Sequence, residues 1–418
     1  MSRQVSNRGK GIGEENMRIA VLIVLAVTFL GWIVRCSPAQ TVGDEVVVAG
    51  EPTSQERETW ERTRLEMSVF GTDYLRRMQE DSGGWTTEKG IGTSLIVLLG
   101  MLRAGCSVDE PAVARGLDYV LRAVQADGGI YTPGGHIPVY ESCLALSCFA
   151  YAKQMSGSDR FDSILEHGEE FIRGQQYSEE NGTSPDEKAY GGLGYGKGSR
   201  PDLSNTQFFV DTLRDLGADF NDEAIQRAVT FVSRCQNLSG AEGEIETAED
   251  TSEENGEGDS QVPSGENPEN EGGFFYTCMA SENPAGQEAD GGLRCYGSIT
   301  YAGLKSLIYA GLTESDPRVE AATGWIRKNY STTHNPGLGL RCLYYYYHTM
   351  ARTMDVLQSD LFTDESGVSH FWKGELIQIF AQRQRPDGSW ANSNPMWFES
   401  DPNLVTGYAL IVLSYCAL

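Results

Sequence analysis

Glu141 and Asp211 are acids set in otherwise apolar stretches, YESCLALSCFAYA and SNTQFFVDTLRDL. Two carboxylates facing one another across a cleft are the working set of glycoside hydrolysis, and a single buried carboxyl can act as a general acid. His348 closes a run of four tyrosines, Tyr344 to Tyr347, within RCLYYYYHTMARTMDVL. A helix turns about 100° per residue, so these rings would point around most of its circumference, where an ordinary surface helix keeps one face wet. Tyrosine in place of phenylalanine implies hydroxyls that need partners. His348 is expected to bond to neighbouring tyrosines, and it joins Glu141 and Asp211 as a candidate catalytic group. The five histidines are scattered, with no H-x-x-x-H pair, which argues against a histidine-rich metal centre.

An internal repeat positions these residues. An aromatic or aliphatic residue, four intervening residues and a Gln recur at Tyr74 and Gln79, Val120 and Gln125, Phe171 and Gln176, Phe231 and Gln236, and Ile379 and Gln384. Trp325 and Tyr330 hold the same place without the Gln. A glycine turn is assigned after each: residues 81–85, 126–131, 190–195, 290–296, 335–339 and 386–390. A second apolar stretch follows every turn, and the tyrosine run is the fifth of these. The unit is a helix, a Gly-rich turn and a helix, about 50 residues long and repeated six times. The first helix of each pair is amphipathic, as in RTRLEMSVFGTDYLRRM, and the second is apolar nearly all round. Outer helices that meet water and inner helices that they cover give an all-α fold, a double-walled α/α toroid over residues 60–418. Six hairpins close the ring and leave no unit with an uncovered face. Most of the tyrosine run is then wall around a central cavity.

The 418 residues carry 33 basic and 59 acidic side chains, a formal net charge of −26. No basic stripe forms, which argues against a nucleic-acid partner. Residues 239–271 hold twelve acids, no bases and four apolar residues, too few to support a core, and are expected to be a disordered insert. Residues 19–35 contain an apolar run between Arg18 and Arg35, preceded by Arg3, Arg8 and Lys10. This reads as an export signal or a membrane anchor, with residues 36–59 as a linker and the bulk of the chain extracytoplasmic. Residues 1–18 form an N-terminal extension. Glu14, Glu15 and Asn16 could be encoded by a ribosome-binding sequence, so translation is expected to start at Met17, and native peptides from residues 2–16 would refute this. The nine cysteines are irregularly spaced, and mostly buried thiols with at most one bridge are expected.

The signature Q-x-x-[DE]-G-x-W is met by Gln384, Asp387, Gly388 and Trp390, and nearly met by Gln79, Asp81, Gly84 and Trp85 and by Gln125, Asp127 and Gly128. With six hairpins, the chain resembles the prenyltransferase and squalene-cyclase repeat superfamily over about residues 60–418. The resemblance implies the toroid, and a structural rather than catalytic role for the turn residues. The D-x-D-D acid motif of squalene-hopene cyclases and the Asp-Cys-Thr-Ala-Glu motif of oxidosqualene cyclases are both missing. Glu141-Ser142-Cys143 is a faint counterpart of the latter. An aromatic cavity would suit carbocations, with Tyr301, Tyr344, Tyr346 and Tyr408 as its expected lining. The zinc set of protein prenyltransferase β subunits is only partly matched. Cys295 and His348 resemble ligand contexts, but Leu293 stands where the Asp belongs and Asp290 lies five residues before the Cys. No cofactor is therefore favoured. Two functions are expected to compete: terpenoid or prenyl-lipid handling in an aromatic cavity, and a non-catalytic toroid that binds a glycan, lipid or protein partner.

Overall fold

The computed structural model describes residues 46–238, 269–279, 286 and 293–418. The expected extension 1–18, the signal or anchor 19–35, the first part of the linker, residues 239–268 of the insert and Asp290 lie outside the described residues. Among the described residues no helix is long and apolar enough to cross a membrane.

Twelve α-helices are described, alternating between two layers. The outer ones are α1 (Ser54–Met78), α3 (Pro111–Leu121), α5 (Asp162–Arg173), α7 (Glu223–Arg234), α9 (Pro317–Lys328) and α11 (Trp372–Arg383). The inner ones are α2 (Gly92–Arg103), α4 (Pro138–Ser156), α6 (Leu203–Asp215), α8 (Gly297–Tyr309), α10 (Leu343–Val356) and α12 (Pro402–Tyr415). Each inner helix packs on the next, and α12 packs back on α2, so the ring is closed. Burial follows the sequence pattern. Outer α5 buries Leu165, Gly168 and Ile172, a single stripe, whereas every residue from 93 to 102 of inner α2 is buried. Helix α1 starts inside the segment expected as linker because Thr53 and Glu56 form a capping box. Thr53 Oγ1 accepts from the Glu56 amide at 3.3 Å, and the Glu56 carboxylate accepts from the Thr53 amide at 2.8 Å.

The repeated glutamines tie hairpin to hairpin. Gln79 Nε2 donates to Gly83 O at 2.8 Å in its own turn and to Ala112 O at 2.7 Å on the next outer helix. Gln176 does the same to Gly191 and Ala224, Gln236 to Gly272 and Arg318, and Gln384 to Gly388 and Met67. The last of these sews α11 onto α1 and closes the outer wall. Gln125 departs from the pattern, donating only to Ala123 O and Tyr131 O near its own turn. The turn glycines are needed for space. At Gly83 and Gly128, both with positive φ, a Cβ would stand 2.6 Å from a carbonyl oxygen of the following outer helix. Trp85 and Trp390 are fully buried, and each indole donates to the carbonyl ten residues earlier, Leu75 and Phe380.

One turn is not where the sequence reading put it. The turn that Gln236 grips is at Gly272 and Gly273, not in residues 290–296. The Phe274 amide donates to Thr300 Oγ1, the bond that Trp85 makes with Ser94 and Trp390 with Thr406. The insert therefore lies between Gln and turn. A hairpin was also not foreseen: β1 (Leu361–Thr363) pairs antiparallel with β2 (Ser369–Phe371), with Phe362 opposite His370. Residues 46–50 run along β2 as a strap, with Gly50 N donating to Ser369 O at 2.7 Å and Phe371 N to Val48 O at 2.8 Å. His370 is buried beneath, 2.8 Å from Glu375 Oε1 and 3.2 Å from Asp364 Oδ2.

Candidate functional site: a cavity at the mouth of the inner ring

The centre of the toroid is divided into two parts. At the N-terminal ends of the inner helices is a cavity of about 630 Å³. All six inner helices reach it with their first two turns: Thr93 of α2, Tyr140 of α4, Ser204 and Phe208 of α6, Ser298 and Ile299 of α8, Tyr345 of α10, and Leu404 and Tyr408 of α12. Connecting segments add Tyr195, Tyr276, Tyr296, Trp397, Phe398 and the charged groups Glu88, Lys89, Glu399 and Asp401. The lining is thus a collar of aromatic rings with a polar rim. Four of its hydroxyls pair between inner helices: Tyr345 with Ser204 at 3.0 Å and Tyr140 with Tyr408 at 3.4 Å.

Towards the C-terminal ends, side chains fill the centre. Lys305 has no exposed surface, and its Nζ donates to Asp211 Oδ2 and Gln207 Oε1, both at 2.7 Å. Arg352 lies 3.4 Å from the same Asp211 oxygen and 2.8 Å from Asp215 Oδ1. Burial pulls the Lys305 ammonium down to about 8, against the opposite pull of Asp211. His348 sits between the two parts, its ring stacked on Phe208 at 6.3 Å and tilted against Tyr408 at 5.6 Å. Its Nδ1 is buried without a hydrogen-bond partner among the described residues. Burial, then the nearby cations Lys305, Arg352 and Arg103, hold its pKa well below the usual value, so the ring is neutral.

The acids named from sequence are separated by the fold. Glu141 accepts from the Thr132 amide at 2.7 Å, from Thr132 Oγ1 at 2.8 Å and from the Ile91 amide at 3.2 Å, which fastens the loop before α4 to the start of α2. Asp211 is ion-paired in the filled half. Neither lines the cavity. Of the four tyrosines expected there, Tyr408 is in place. Tyr301 and Tyr346 pack edge to face at 5.7 Å, and Tyr344 packs against Phe380 of outer α11, also at 5.7 Å. Within the tyrosine run it is Tyr345 that faces the cavity, one residue and about 100° away from either neighbour. Among the described residues no group of three or more His, Cys, Asp or Glu is placed to hold a metal ion; Cys295 is buried off the cavity, and Asp290 lies outside these residues. The eight described cysteines carry no disulfide.

The rim was missed by sequence reasoning. Glu399, 1% exposed, takes the place of the cap that α10 lacks: Oε1 accepts from the Tyr344 and Tyr345 amides at 2.9 Å, and Oε2 from Asn392 Nδ2 at 2.6 Å. Burial pushes its carboxyl up to about 7 against the pull of these donors. Trp397 and Phe398 are 42% and 60% exposed and held at φ of +52° and +63°. Of the five non-glycine residues with positive φ among the described residues, four line this cavity: Thr86, Cys342, Trp397 and Phe398. Such strain persists where the surroundings impose it, and it clusters at ligand clamps and active sites.

No protein family matches the sequence, and no curated protein is significantly similar to it. Solved structures share the fold. A point variant of the type II terpene cyclase MstE from Scytonema is 11% identical, with a TM-score of 0.50 over 86% of this chain and 98% of that one. An α-amylase from Clostridium perfringens is 11% identical, with a TM-score of 0.50 over 84% of this chain and 97% of that one. At this identity the likeness establishes the α/α toroid and nothing finer. The chain is thus an α/α toroid of the architecture that terpene cyclases and glycan-active enzymes share.

Proposed function

We propose that this toroid binds an apolar ligand of the isoprenoid class in its aromatic mouth cavity. The collar carries the argument: aromatic rings on the first two turns of α4, α6, α10 and α12, joined by loop tyrosines, enclose about 630 Å³, and neutral His348 packs against two of them, Phe208 and Tyr408. That volume lies within the range of about 300–1,000 Å³ that takes a compact small molecule. Tyrosine and phenylalanine faces suit an unsaturated, methyl-branched chain better than a polar sugar, whose hydroxyls would find few partners on the floor. The neighbour named as a terpene cyclase is consistent with such a ligand, although fold alone does not choose it over the amylase. Binding rather than ring closure is the reading, because Glu141 and Asp211 are committed to amides and cations away from the cavity. The reading keeps the toroid on the outer side of a membrane, with residues 19–35 as signal or tether.

The test is extraction and mass spectrometry of the protein made in a bacterial periplasm, followed by titration of the emptied protein with farnesyl methyl ether. An isoprenoid co-purifying in near-equimolar amount, or saturable binding of the ether that a Phe208→Asp variant lacks, is expected. A well-folded sample that holds no lipid and binds none overturns the proposal.

A second reading rests on the rim. Glu399 and Asp401 are two carboxylates in different surroundings beside the exposed Trp397 and Phe398, an arrangement that glycan-active sites use. Release of reducing ends from a polysaccharide panel, abolished by Glu399→Gln, would favour it over the lipid.

A further inference from the structure

The acidic insert interrupts the fourth hairpin, and a cysteine stands on either side of it. Cys235 is the C-cap of α7 and is fully buried. Cys278 lies beyond the Gly272-Gly273 turn and is partly exposed. The backbone brings the two flanks together. Gln236 pairs antiparallel with Phe274, and Cys235 O accepts from the Phe275 amide at 3.0 Å. The Cys235 thiol donates a hydrogen bond to the Cys278 sulfur. The Cys278 thiol in turn donates to Lys188 O at 3.5 Å, on the loop that leads to Tyr190. Arg234 is fixed against the same loop, its guanidinium donating to Glu187 O and Pro185 O, both at 2.6 Å. The bond from Cys235 holds the Cys278 thiol below its usual value against burial, and Arg234 and Lys188 help. Accessible thiols beside cations and a second thiol are the ones that exchange with disulfides. Cys143, Cys148 and Cys416 are the contrast: fully buried, and pushed up to about 12 by burial.

We propose that Cys235 and Cys278 form a thiol–disulfide exchange site that locks the two flanks of the insert together, with Cys278 as the attacking thiol and Cys235 as the resolving one. The co-reactant is a small-molecule disulfide of the glutathione class. The Cys278 thiolate attacks one sulfur of that disulfide and a mixed disulfide forms. The departing glutathione thiolate takes up the proton that Cys278 gave up. Cys235 then loses its proton to the second glutathione sulfur as it displaces it, and the Cys235–Cys278 bond closes. Two protein thiols are oxidised to one disulfide, and one glutathione disulfide is reduced to two thiols. A disulfide holds its sulfurs about 2.05 Å apart, so closure draws the partly exposed Cys278 towards the fixed end of α7. The segment drawn in carries Tyr276, which lines the mouth cavity and whose carbonyl accepts from the Leu203 amide at 2.8 Å. The site does not depend on what the cavity binds. An oxidising compartment, expected for an exported chain, supplies such a co-reactant.

The experiment exposes the folded, reduced protein to glutathione disulfide, blocks the remaining thiols by alkylation and maps peptides by mass spectrometry without reduction. Circular dichroism confirms that each sample is folded. A peptide pair joined through Cys235 and Cys278 is expected in wild type, with Cys143, Cys148 and Cys416 alkylated only after unfolding. Cys235→Ser lacks the resolving thiol and should accumulate glutathione on Cys278. Cys278→Ser should take glutathione on Cys235 at least about tenfold more slowly than Cys235→Ser takes it on Cys278. A folded wild type that forms no such link, or in which Cys278 pairs with a different cysteine, overturns the proposal. So does a Cys235 that in Cys278→Ser reacts as fast as Cys278 does in Cys235→Ser.

Discussion

Replacing Lys305 by Met is the sharpest test of how the centre is held. The ammonium is fully buried and bonded to Asp211 Oδ2 and Gln207 Oε1 at 2.7 Å. Methionine fills similar space and removes the charge. Among the described residues Asp211 is left with Arg352 at 3.4 Å as its remaining cation, and its Oδ1 already lacks a partner. Removing one member of a buried pair costs about 3–5 kcal/mol, and the remaining arginine places this site at about 3. For large domains a kcal/mol moves Tm by about 2 °C, so a fall of about 6 °C is expected at pH 7. The double variant Lys305→Met with Asp211→Leu removes both buried charges and should recover most of that loss, because Arg352 keeps Asp215 at 2.8 Å. The pH dependence adds a second signature. The Lys305 value is lowered to about 8 in the fold, against 10.5 as its ordinary value. The cost of burying the cation is fully present below about pH 8 and is relieved as pH rises from there to 10.5, where the unfolded chain binds the extra proton. Wild-type stability should therefore rise relative to Lys305→Met across that window. Chemical denaturation of the three proteins at pH 7, 8.5 and 10 reads both signatures. A single variant within about 1 kcal/mol of wild type, a double variant no better than the single, or a gap that is flat with pH would each refute the reasoning.

His370 lies between Glu375 and Asp364 and its pKa is raised; burial opposes this, and bonds to both carboxylates overcome it. Its contribution is present below the ordinary value near 6.5 and lost as pH rises through the higher folded value. Exchange protection at residues 46–50 should fall over that rise in wild type and show no such step in His370→Asn. Gln384→Ala removes bonds to Met67 O and Gly388 O, both at 3.0 Å, and should cost about 2 kcal/mol in urea unfolding, whereas Gln125→Ala, which breaks no tie to the next hairpin, should cost less than half of that. Trp397→Gly releases a left-handed tryptophan that costs about 1–2 kcal/mol, so stability should hold or rise slightly while affinity for farnesyl methyl ether falls. Destabilisation by that substitution would show that the ring is held by packing and not by strain.

The repeat made the fold legible because each physical requirement recurs. Gln79, Gln176, Gln236 and Gln384 make the same pair of bonds, and an inner helix covered on all sides must be apolar all round. Periodicity does not fix depth or rotation, and the site depends on both. Tyr344 and Tyr346 were expected at the cavity, yet Tyr345 is there, because a rotation of about 100° separates wall from lining. Asp211 looked like a free acid on an inner helix. Lys305 and Arg352, 94 and 141 residues away, occupy it. The fourth turn was misassigned because residues 290–292 repeat the Asp-Gly-Gly of residues 127–129, while the Gly272-Gly273 that Gln236 grips sits at the end of an acidic run. The rim left little trace in the repeat. Residues 392–401 interrupt it, and nothing local in NSNPMWFESD marks Glu399 as the cap of a helix more than 50 residues earlier in the chain.

The division of the centre follows from helix polarity. The inner helices run the same way, so their partial charges add at each end of the ring, positive at the mouth and negative at the far end. Side chains answer that field. Asp202, Glu399 and Asp401 sit on amides at the starts of α6, α10 and α12. Arg103, Arg214, Lys305 and Arg352 lie in the later turns of α2, α6, α8 and α10, where Arg103 and Arg214 also stack on Tyr415 and Tyr309. Buried cations can satisfy one another's partners only by packing closely, which is why the far end is full. At the mouth these acids are used one per helix start and held by its amides, which leaves the middle to aromatic rings and open space. A toroid built this way offers a ligand one end, with apolar walls and acceptors at the lip. A substitution that moved a cation from the filled end to the mouth, such as Leu404→Arg, should therefore close the cavity to farnesyl methyl ether by setting a guanidinium among the rim carboxylates. If Leu404→Arg bound the ether as wild type does, the polarity argument for the empty mouth would be wrong.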